Sequence, residues 1–250
     1  MTRRNPRATI PAAAMPVAVL AFILAVVPVE AQYKYCHSRD VLPAGANFSS
    51  PALVVDLEGC TALNLYSSNI GDSGAAAIAE ALKSNTAVTL LFLYNNNIGD
   101  RGAAAVAGAV KNNAAVTTLY LYSNNIGDSG AAAIAEALKN NALTKLDLGS
   151  NAIGDSGAAA IAEALKSNTA LTYLQLYNNN IGDSGAAAIG EALKSNTALT
   201  SLGLSFQFSA CWLWERMKSP QSTGEMSKAS FVCTAKVSLR FLNCTEVPTS

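Results

Sequence analysis

The chain has 250 residues, of which 50% are hydrophobic and 14% are charged, and its formal net charge is zero. This composition excludes an intrinsically disordered chain and supplies enough apolar side chains for the core of one or two domains. Nucleic-acid binding is also disfavoured. Between Leu63 and Ser205 seven Lys or Arg stand against ten Asp or Glu, so this region should repel a phosphate backbone.

The N-terminal segment, residues 1–31, has the order of a secretory signal peptide. Arg3, Arg4 and Arg7 form a positive segment, an apolar stretch follows over residues 12–27, and a small residue, Ala31, stands at the expected cleavage point. The apolar stretch is shorter than the roughly 20 residues that span a bilayer. We therefore expect cleavage after Ala31 and a secreted or extracellular protein. The alternative is a membrane protein anchored by the uncleaved signal.

Residues 32–59 contain no repeat and are predicted to form an N-terminal cap. The cysteines stand only on the two flanks of the chain, which favours terminal disulfides in an oxidising compartment over ordinary buried thiols. The candidates are Cys36, Cys60, Cys211, Cys233 and Cys244, an odd number that leaves one thiol over. Glycosylation sequons begin at Asn47 and Asn243, and they matter only if the chain is secreted.

A Leu-x-Leu pair recurs at nearly constant spacing within residues 60–205. The pairs begin at Leu63, Leu91, Leu119, Leu146, Leu174 and Leu202. The step that ends at Leu146 is shorter than the others, because residues 140–142 lack a position found in the other units. Each unit starts with period-two alternation, which predicts a strand, and continues with apolar residues at helical spacing, such as Ile189 and Leu193. The region therefore contains five full strand–turn–helix units and a final strand, which bury their apolar faces by stacking.

An aspartate stands at the predicted start of every helix in these units. We expect its carboxylate to cap the free amides of its own first turn and to stabilise the positive end of the helix dipole. The five residues are Asp72, Asp100, Asp128, Asp155 and Asp183. Calcium binding is the alternative, but each aspartate is alone in its unit whereas calcium needs six or more oxygen ligands.

The pattern Leu-x-x-Leu-x-Leu-x-x-Asn-x-Ile, as in residues 171–181, resembles the ribonuclease-inhibitor type of leucine-rich repeat, which also forms the recognition arcs of NOD-like receptors. The resemblance implies an α/β solenoid in a short right-handed arc, with parallel strands on the concave face and helices on the convex face. The first unit departs from the pattern, with Ser68 at the asparagine position and Cys60 in place of the leading leucine. We therefore expect it to be an edge coil with weaker bonding.

The asparagine of this pattern implies a ladder that runs through the repeats. Its amide is expected to satisfy backbone groups in the turn of its own coil and of the adjacent coil. The ladder residues are Asn96, Asn124, Asn151 and Asn179.

Aromatic side chains occupy the strand positions that alternate with the inward leucines. Tyrosine gives a large contact area and a hydroxyl at low entropy cost, which suits a binding surface. The candidate partner-binding residues are Tyr66, Phe92, Tyr94, Tyr120, Tyr122, Tyr173 and Tyr177, with Lys145 and Asp147 adding polar specificity in the fourth coil. The alternative is that stacked tyrosines only stabilise the strands, or that they copy a duplicated unit.

Reactive side chains are scarce along the chain. The only histidine, His37, lies beside Cys36, and adjacent residues seldom form a nucleophile pair, so a disulfide is the preferred role for Cys36. No metal-ligand spacing and no phosphate-binding glycine loop stands in the sequence. We therefore predict no enzyme activity, no cofactor and no metal.

Residues 206–250 begin with aromatic residues and are predicted to be a C-terminal cap or a partly disordered tail.

The sequence thus favours a secreted or cell-surface scaffold that recognises a protein or peptide on its concave face, with carbohydrate as a less favoured ligand. One alternative is a regulator of a small GTPase, since the repeats are also similar to those of the Ran GTPase-activating protein. That protein works inside the cell, and the predicted signal peptide argues against this function. The other alternative is a nonfunctional product of repeat expansion with a translated non-coding tail.

Overall fold

The computed structural model describes residues 33–42, 47–48 and 53–204. The predicted signal peptide and residues 206–250 lie outside the described residues, and with them Cys211, Cys233, Cys244 and Asn243. The chain divides into two compact units, residues 1–34 and 35–250. Of the first unit only Tyr33 and Lys34 are described, and all elements below belong to the second.

Seven short parallel strands form one open sheet in sequence order, so each strand pairs with its neighbours along the chain. Equivalent residues of successive repeats are in register, as in the pairing of Leu91 with Leu119. This arrangement confirms the predicted α/β leucine-rich-repeat solenoid. The strands are β1 (Tyr35–Cys36), β2 (Ala62–Asn64), β3 (Leu90–Phe92), β4 (Thr118–Tyr120), β5 (Lys145–Asp147), β6 (Tyr173–Gln175) and β7 (Ser201–Gly203).

A helix follows each strand from β1 to β6 and packs on the opposite side from the concave surface. The alanine-rich sequence favours a helix and keeps it thin, so consecutive helices lie side by side. The core between the two layers consists of the strand leucines and of helix residues such as Ile78, Val106 and Ile134. The helices are α1 (Ser38–Val41), α2 (Gly71–Leu82), α3 (Asp100–Asn112), α4 (Asp128–Leu138), α5 (Asp155–Ser167) and α6 (Asp183–Leu193).

The described residues that precede the first repeat, 35–42, 47–48 and 53–59, cover that repeat. Strand β1 pairs with β2, and a disulfide joins Cys36 to Cys60 with their Cα atoms 5.7 Å apart. Phe48 packs against α2 at Gly74, where an added Cβ would lie 2.8 Å from the Cβ of Phe48. The expectation that the first repeat is an edge coil is therefore wrong, because β1 occupies the edge of the sheet.

The repeated aspartates do not cap their own helices, which corrects the expectation from the sequence. The carboxylate of Asp72 accepts hydrogen bonds from the amides of Gly99 and Gly102, at 2.7 and 2.9 Å, at the start of the next helix, α3. Asp100, Asp128 and Asp155 bond the following helix in the same way. In α3–α6 the aspartate is the first helical residue rather than the residue before the helix. Its carboxylate therefore stabilises the stacking of coils as well as a helix end.

Close approach of these helices requires a glycine at the second position after the aspartate. A Cβ at Gly102 would lie 2.7 Å from Oδ1 of Asp72 and 3.0 Å from the Cβ of Ala75. Any larger residue would therefore push apart the carboxylate and the amide that it bonds. The recurring Asp-x-Gly is a coil-stacking motif, which explains why the two residues repeat together.

The asparagine ladder also joins consecutive coils. Oδ1 of Asn124 accepts hydrogen bonds from the amides of Asn96 and Ile98, both at 3.0 Å, and its Nδ2 donates to the carbonyl of Leu93 at 3.0 Å. Asn96, Asn151 and Asn179 each bond the preceding coil in the same manner. Each ladder asparagine therefore bonds the coil that precedes it in the sequence. In the first repeat, Ser68 donates its backbone amide to Oδ1 of Asn96.

A second asparagine row, which the sequence reasoning missed, lies in the loops that follow the helices. Asn113 donates from Nδ2 to the carbonyls of Leu82 and Asn85, and its Oδ1 accepts from the amides of Ala115 and Val116. Asn85, Asn168 and Asn196 occupy equivalent positions. At the short unit the row breaks, because Nδ2 of Asn141 is buried without a hydrogen-bond partner.

Candidate functional site

The concave face carries a stack of three tyrosines just beyond the ends of β2, β3 and β4. The ring centroids of Tyr66 and Tyr94 are 5.4 Å apart and those of Tyr94 and Tyr122 are 4.3 Å apart, with interplanar angles of 12° and 11°. Strand spacing sets this distance, because equivalent residues of paired parallel strands lie about 4.8 Å apart. We call Tyr66, Tyr94 and Tyr122 the tyrosine stack; it offers a flat, amphipathic surface with one exposed end at Tyr66.

A second aromatic row lies beside the tyrosine stack on the strands themselves. Phe92 and Tyr120 stack with their centroids 5.2 Å apart, and Tyr35 of the cap contacts Phe92 at 6.4 Å. Tyr35 was not among the predicted binding residues, because its short strand has no repeat pattern. Its position extends the aromatic surface onto the N-terminal segment.

The tyrosine stack meets a glycine in the next coil. Gly149 occupies the position equivalent to Tyr122, and the ring of Tyr177 from the following coil lies across it. A Cβ at Gly149 would be only 2.6 Å from Cε1 of Tyr177, so no other residue leaves room for this ring. The stacking of rings that the structure describes therefore ends at Tyr122 instead of continuing into the fourth coil.

Asp147 lies on β5, in the coil where the tyrosine stack ends. The sequence placed it among surface residues, but it is only 7% exposed, and its register neighbours are Tyr120 and Gln175. The Gly149 amide donates a 2.9 Å hydrogen bond to its carboxylate. Burial raises the pKa of Asp147 above its ordinary value, and the Gly149 hydrogen bond offsets this only in part. In water-poor surroundings the charge is unfavourable, since burial penalises the ionised form.

Burial and the charge of Asp147 both raise the pKa values of the neighbouring tyrosines. Burial is the main reason that the pKa values of Tyr120, Tyr173 and Tyr177 are raised, and the negative charge of Asp147 adds to each shift. Burial, the Tyr94 hydroxyl and, more weakly, Asp147 raise the pKa of Tyr122 to about 12. The four phenols therefore stay neutral at physiological pH, and all four are close enough to Asp147 to sense its charge.

Lys145 is the other charged residue on this strand, and it is exposed. Among the described residues, none of the ion pairs includes Asp147. Lys145 therefore leaves the buried carboxylate uncompensated, although both side chains belong to the concave side of β5.

The remaining predicted features lie away from this surface. Asn47, the described glycosylation candidate, is exposed in the N-terminal segment. Cys36 is bonded to Cys60, so it carries no free thiol beside His37, and the His37 amide instead donates to Asp40 at 2.8 Å. Among the described residues, no group of three His, Cys, Asp or Glu side chains is arranged to hold a metal ion. The chemistry of the concave face is thus aromatic contact, hydroxyl hydrogen bonding and one buried negative charge.

Comparisons with known proteins agree with the repeat geometry. A family model described as leucine-rich repeat matches residues 61–79 and 84–107, and the model of the TMOD/LMOD leucine-rich domain matches residues 103–211. The chain is a leucine-rich-repeat protein. The search of curated protein sequences gave no match.

Two solved structures are similar to this leucine-rich-repeat protein. One is described as leiomodin-1 actin-binding site 2, at 28% identity over 62% of this chain and 75% of that chain, with a TM-score of 0.40. The other is an internalin (inlF) from Listeria monocytogenes str. 4b F2365, at 14% identity over 75% of this chain and 87% of that chain, with a TM-score of 0.26. Because both TM-scores are below 0.5, the assignment rests on the repeat models and the repeat geometry.

The described residues also include no helix that is both long enough and apolar enough to cross a bilayer.

Proposed function

We propose that this protein is a secreted or cell-surface scaffold, without catalytic activity, that binds a protein or peptide partner on its concave face. The observation that carries the proposal is the tyrosine stack. Its rings form a continuous flat surface, whereas the convex helices present Glu–Lys pairs such as Glu136 with Lys139. Exposed aromatic surface of this kind is enriched at binding sites, whereas exposed ion pairs contribute little to affinity.

Two features support the extracellular part of the proposal. Residues 1–31 have the basic, apolar and small-residue order of a signal peptide. The Cys36–Cys60 disulfide is a bond that persists in oxidising compartments and is rare in the cytosol.

Secretion is tested by expressing the full chain in a eukaryotic cell. The secreted material should begin at Gln32 on N-terminal sequencing, and a glycosidase should shift its mass if Asn47 or Asn243 is modified. Recovery of cytosolic protein with an intact Met1 would contradict the extracellular location.

Binding is tested by capture of partners on the immobilised protein, followed by affinity measurement on matched variants. Tyr94→Ala and Tyr122→Ala should each weaken binding at least about five-fold, because truncating an energetically important interface residue costs more than about 1 kcal/mol. Glu136→Ala on the convex face is the control and should leave binding unchanged. If the tyrosine variants lose stability but bind normally, the stack is a structural ladder and the proposal fails.

A further inference from the structure

The buried carboxylate of Asp147 has no structural need for its charge. The backbone bond from Gly149 requires only an oxygen acceptor, which an asparagine would provide without the cost of burying an ionised group. The equivalent positions of the other repeat strands are neutral: Asn64, Phe92, Tyr120, Gln175 and Gly203. The strand therefore tolerates neutral residues at this position, and the carboxylate in the fourth coil needs another explanation.

The surroundings of Asp147 are aromatic on several sides. Tyr120 pairs with it on one neighbouring strand, and the Tyr177 ring crosses Gly149, whose amide bonds the carboxylate. Tyr173 lies on the other neighbouring strand as the register partner of Lys145, and its hydroxyl is hydrogen-bonded to Gln175, the register partner of Asp147. The charge of Asp147 influences the pKa of each of these three phenols and of Tyr122. We call Tyr120, Tyr122, Tyr173 and Tyr177, together with Asp147, the tyrosine–aspartate cluster.

The cluster combines the two features that an organic cation needs. The faces of tyrosine rings attract ammonium and guanidinium groups through their quadrupole, and a carboxylate supplies the opposite full charge. A cation placed there would also offset the cost of the buried negative charge, since none of the ion pairs among the described residues includes Asp147. A neutral sugar or an apolar side chain would contact the rings but leave the carboxylate uncompensated.

We propose that the tyrosine–aspartate cluster binds the ammonium or guanidinium group of a lysine or arginine side chain from a protein partner. This inference rests on the proposed function of the concave face and adds the chemical class of the group that it recognises. Lys145, exposed at the start of β5, repels any cation that approaches this side of the strand, so a segment with several basic residues is disfavoured more than one with a single basic residue. The favoured peptide therefore has one basic residue with neutral neighbours.

The test uses the secreted full chain and three acetylated, amidated pentapeptides of sequence Gly-Ser-X-Ser-Gly, in which X is arginine, lysine or citrulline. Titration is followed through the tyrosine ring resonances by NMR. The arginine and lysine peptides should bind at least about five-fold more tightly than the citrulline peptide, as expected for a partly desolvated cation–π and charge contact. Equal affinities for arginine and citrulline would overturn the inference.

Two matched variants test whether the preference for arginine over citrulline depends on Asp147. Asp147→Asn keeps an oxygen acceptor for the Gly149 amide, so it should fold normally but lose the preference for arginine over citrulline. Glu163→Gln removes the same charge from the exposed Glu163–Lys166 pair on the convex face, and it should keep the preference. A preference that survives Asp147→Asn would overturn the assignment.

Two outcomes separate this inference from the broader proposal. If Tyr94→Ala abolishes partner capture but arginine and citrulline peptides bind alike, the concave face binds a partner and the cation site is wrong. If cellohexaose, but none of the peptides, shifts the ring resonances of Tyr173 and Tyr177, the surface binds carbohydrate and the cation site is again overturned.

Discussion

Replacement of Asn124 by alanine should destabilise the solenoid more than any change on its surface. The side chain is 8% exposed and forms one rung between two coils. The substitution leaves the amides of Asn96 and Ile98 without their acceptor and the carbonyls of Leu93 and Leu121 without their donor. An unsatisfied buried polar group costs about 1–3 kcal/mol, and some of these groups will be reached by water. We expect a total loss of about 2–5 kcal/mol on the same basis.

The chain offers a matched control for this variant at the equivalent position of the first repeat. The hydroxyl of Ser68 makes one 3.3 Å hydrogen bond, to the carbonyl of Tyr66 at the surface. Ser68→Ala should therefore cost less than about 0.5 kcal/mol, as for other surface substitutions. Asn124→Asp keeps an acceptor for the two amides, but it places a buried carboxylate against the carbonyls of Leu93 and Leu121, so it should destabilise the protein at least as much as Asn124→Ala.

Urea unfolding followed by far-ultraviolet circular dichroism measures these differences. Because repeat arrays can unfold in steps, the slope of each transition should be compared before free energies are derived. Hydrogen exchange gives a local measure, and the amides of Asn96 and Ile98 should lose protection in Asn124→Ala alone. If Asn124→Ala and Ser68→Ala have the same midpoint, the ladder does not stabilise the stack and the reasoning is refuted.

Three further variants test other parts of the structure. Inserting Thr between Asn141 and Ala142 restores the regular unit length, so it should raise the urea midpoint by giving the buried Nδ2 an acceptor; an unchanged or lower midpoint contradicts this. Burial raises the pKa of Tyr122 to about 12, so Tyr122→Phe should lower tyrosinate absorbance only at the alkaline end of the titration; a loss centred near pH 10 would contradict this. Asp155 has a lowered pKa, chiefly because of the Ser184 hydroxyl, so its stabilisation is present above pH 3.8 and is lost as pH falls further. Asp155→Asn should therefore make acid unfolding less steep, and an identical acid transition would count against the inter-coil bond.

The repeat architecture could be predicted because its signal is periodic. Alternating leucines, followed by helix-forming alanines, fix which face of each element is buried, and the regular step between units fixes the register of the strands. The first asparagine row, the ladder, followed from the same periodicity and from the family resemblance. The second row, at Asn113 and its equivalents, carries a periodic signal that the sequence reasoning did not use.

Contacts between coils were harder to predict than the coils themselves. The aspartates recur at helix starts, and the simplest local interpretation is that each caps its own helix. Their carboxylates instead bond amides of the next unit, for example from Asp72 to Gly99 and Gly102 in the next helix. A local sequence pattern predicts that an aspartate will bond the amides of a helix start. The close stacking of thin helices decides whether those amides belong to its own helix or to the next one.

The burial of Asp147 could not be read from the sequence either. Period-two alternation correctly places it on the concave side of the strand, and charged residues on such a side are normally exposed. Tyr177, which belongs to the following coil, folds its ring back over Gly149, the residue whose amide bonds the carboxylate. Exposure of a side chain in a curved sheet therefore depends on the size of its neighbours in adjacent coils.

The fourth coil is where the repeats stop being copies of one another. Duplication alone would place a tyrosine at position 149, as in Tyr122 and Tyr177, and would preserve the residue that is missing after Asn141. Instead this coil carries a glycine that accommodates the Tyr177 ring, a buried carboxylate without a described cation, and a buried amide without an acceptor. The buried carboxylate and the unsatisfied buried amide cost stability, whereas the glycine makes room for the Tyr177 ring. An orphaned buried oxygen also occurs at Asn64 in the first repeat, but among the described residues the buried carboxylate occurs in the fourth coil alone. A buried charge among the tyrosines of the concave face is expected of a binding site and not of a structural ladder.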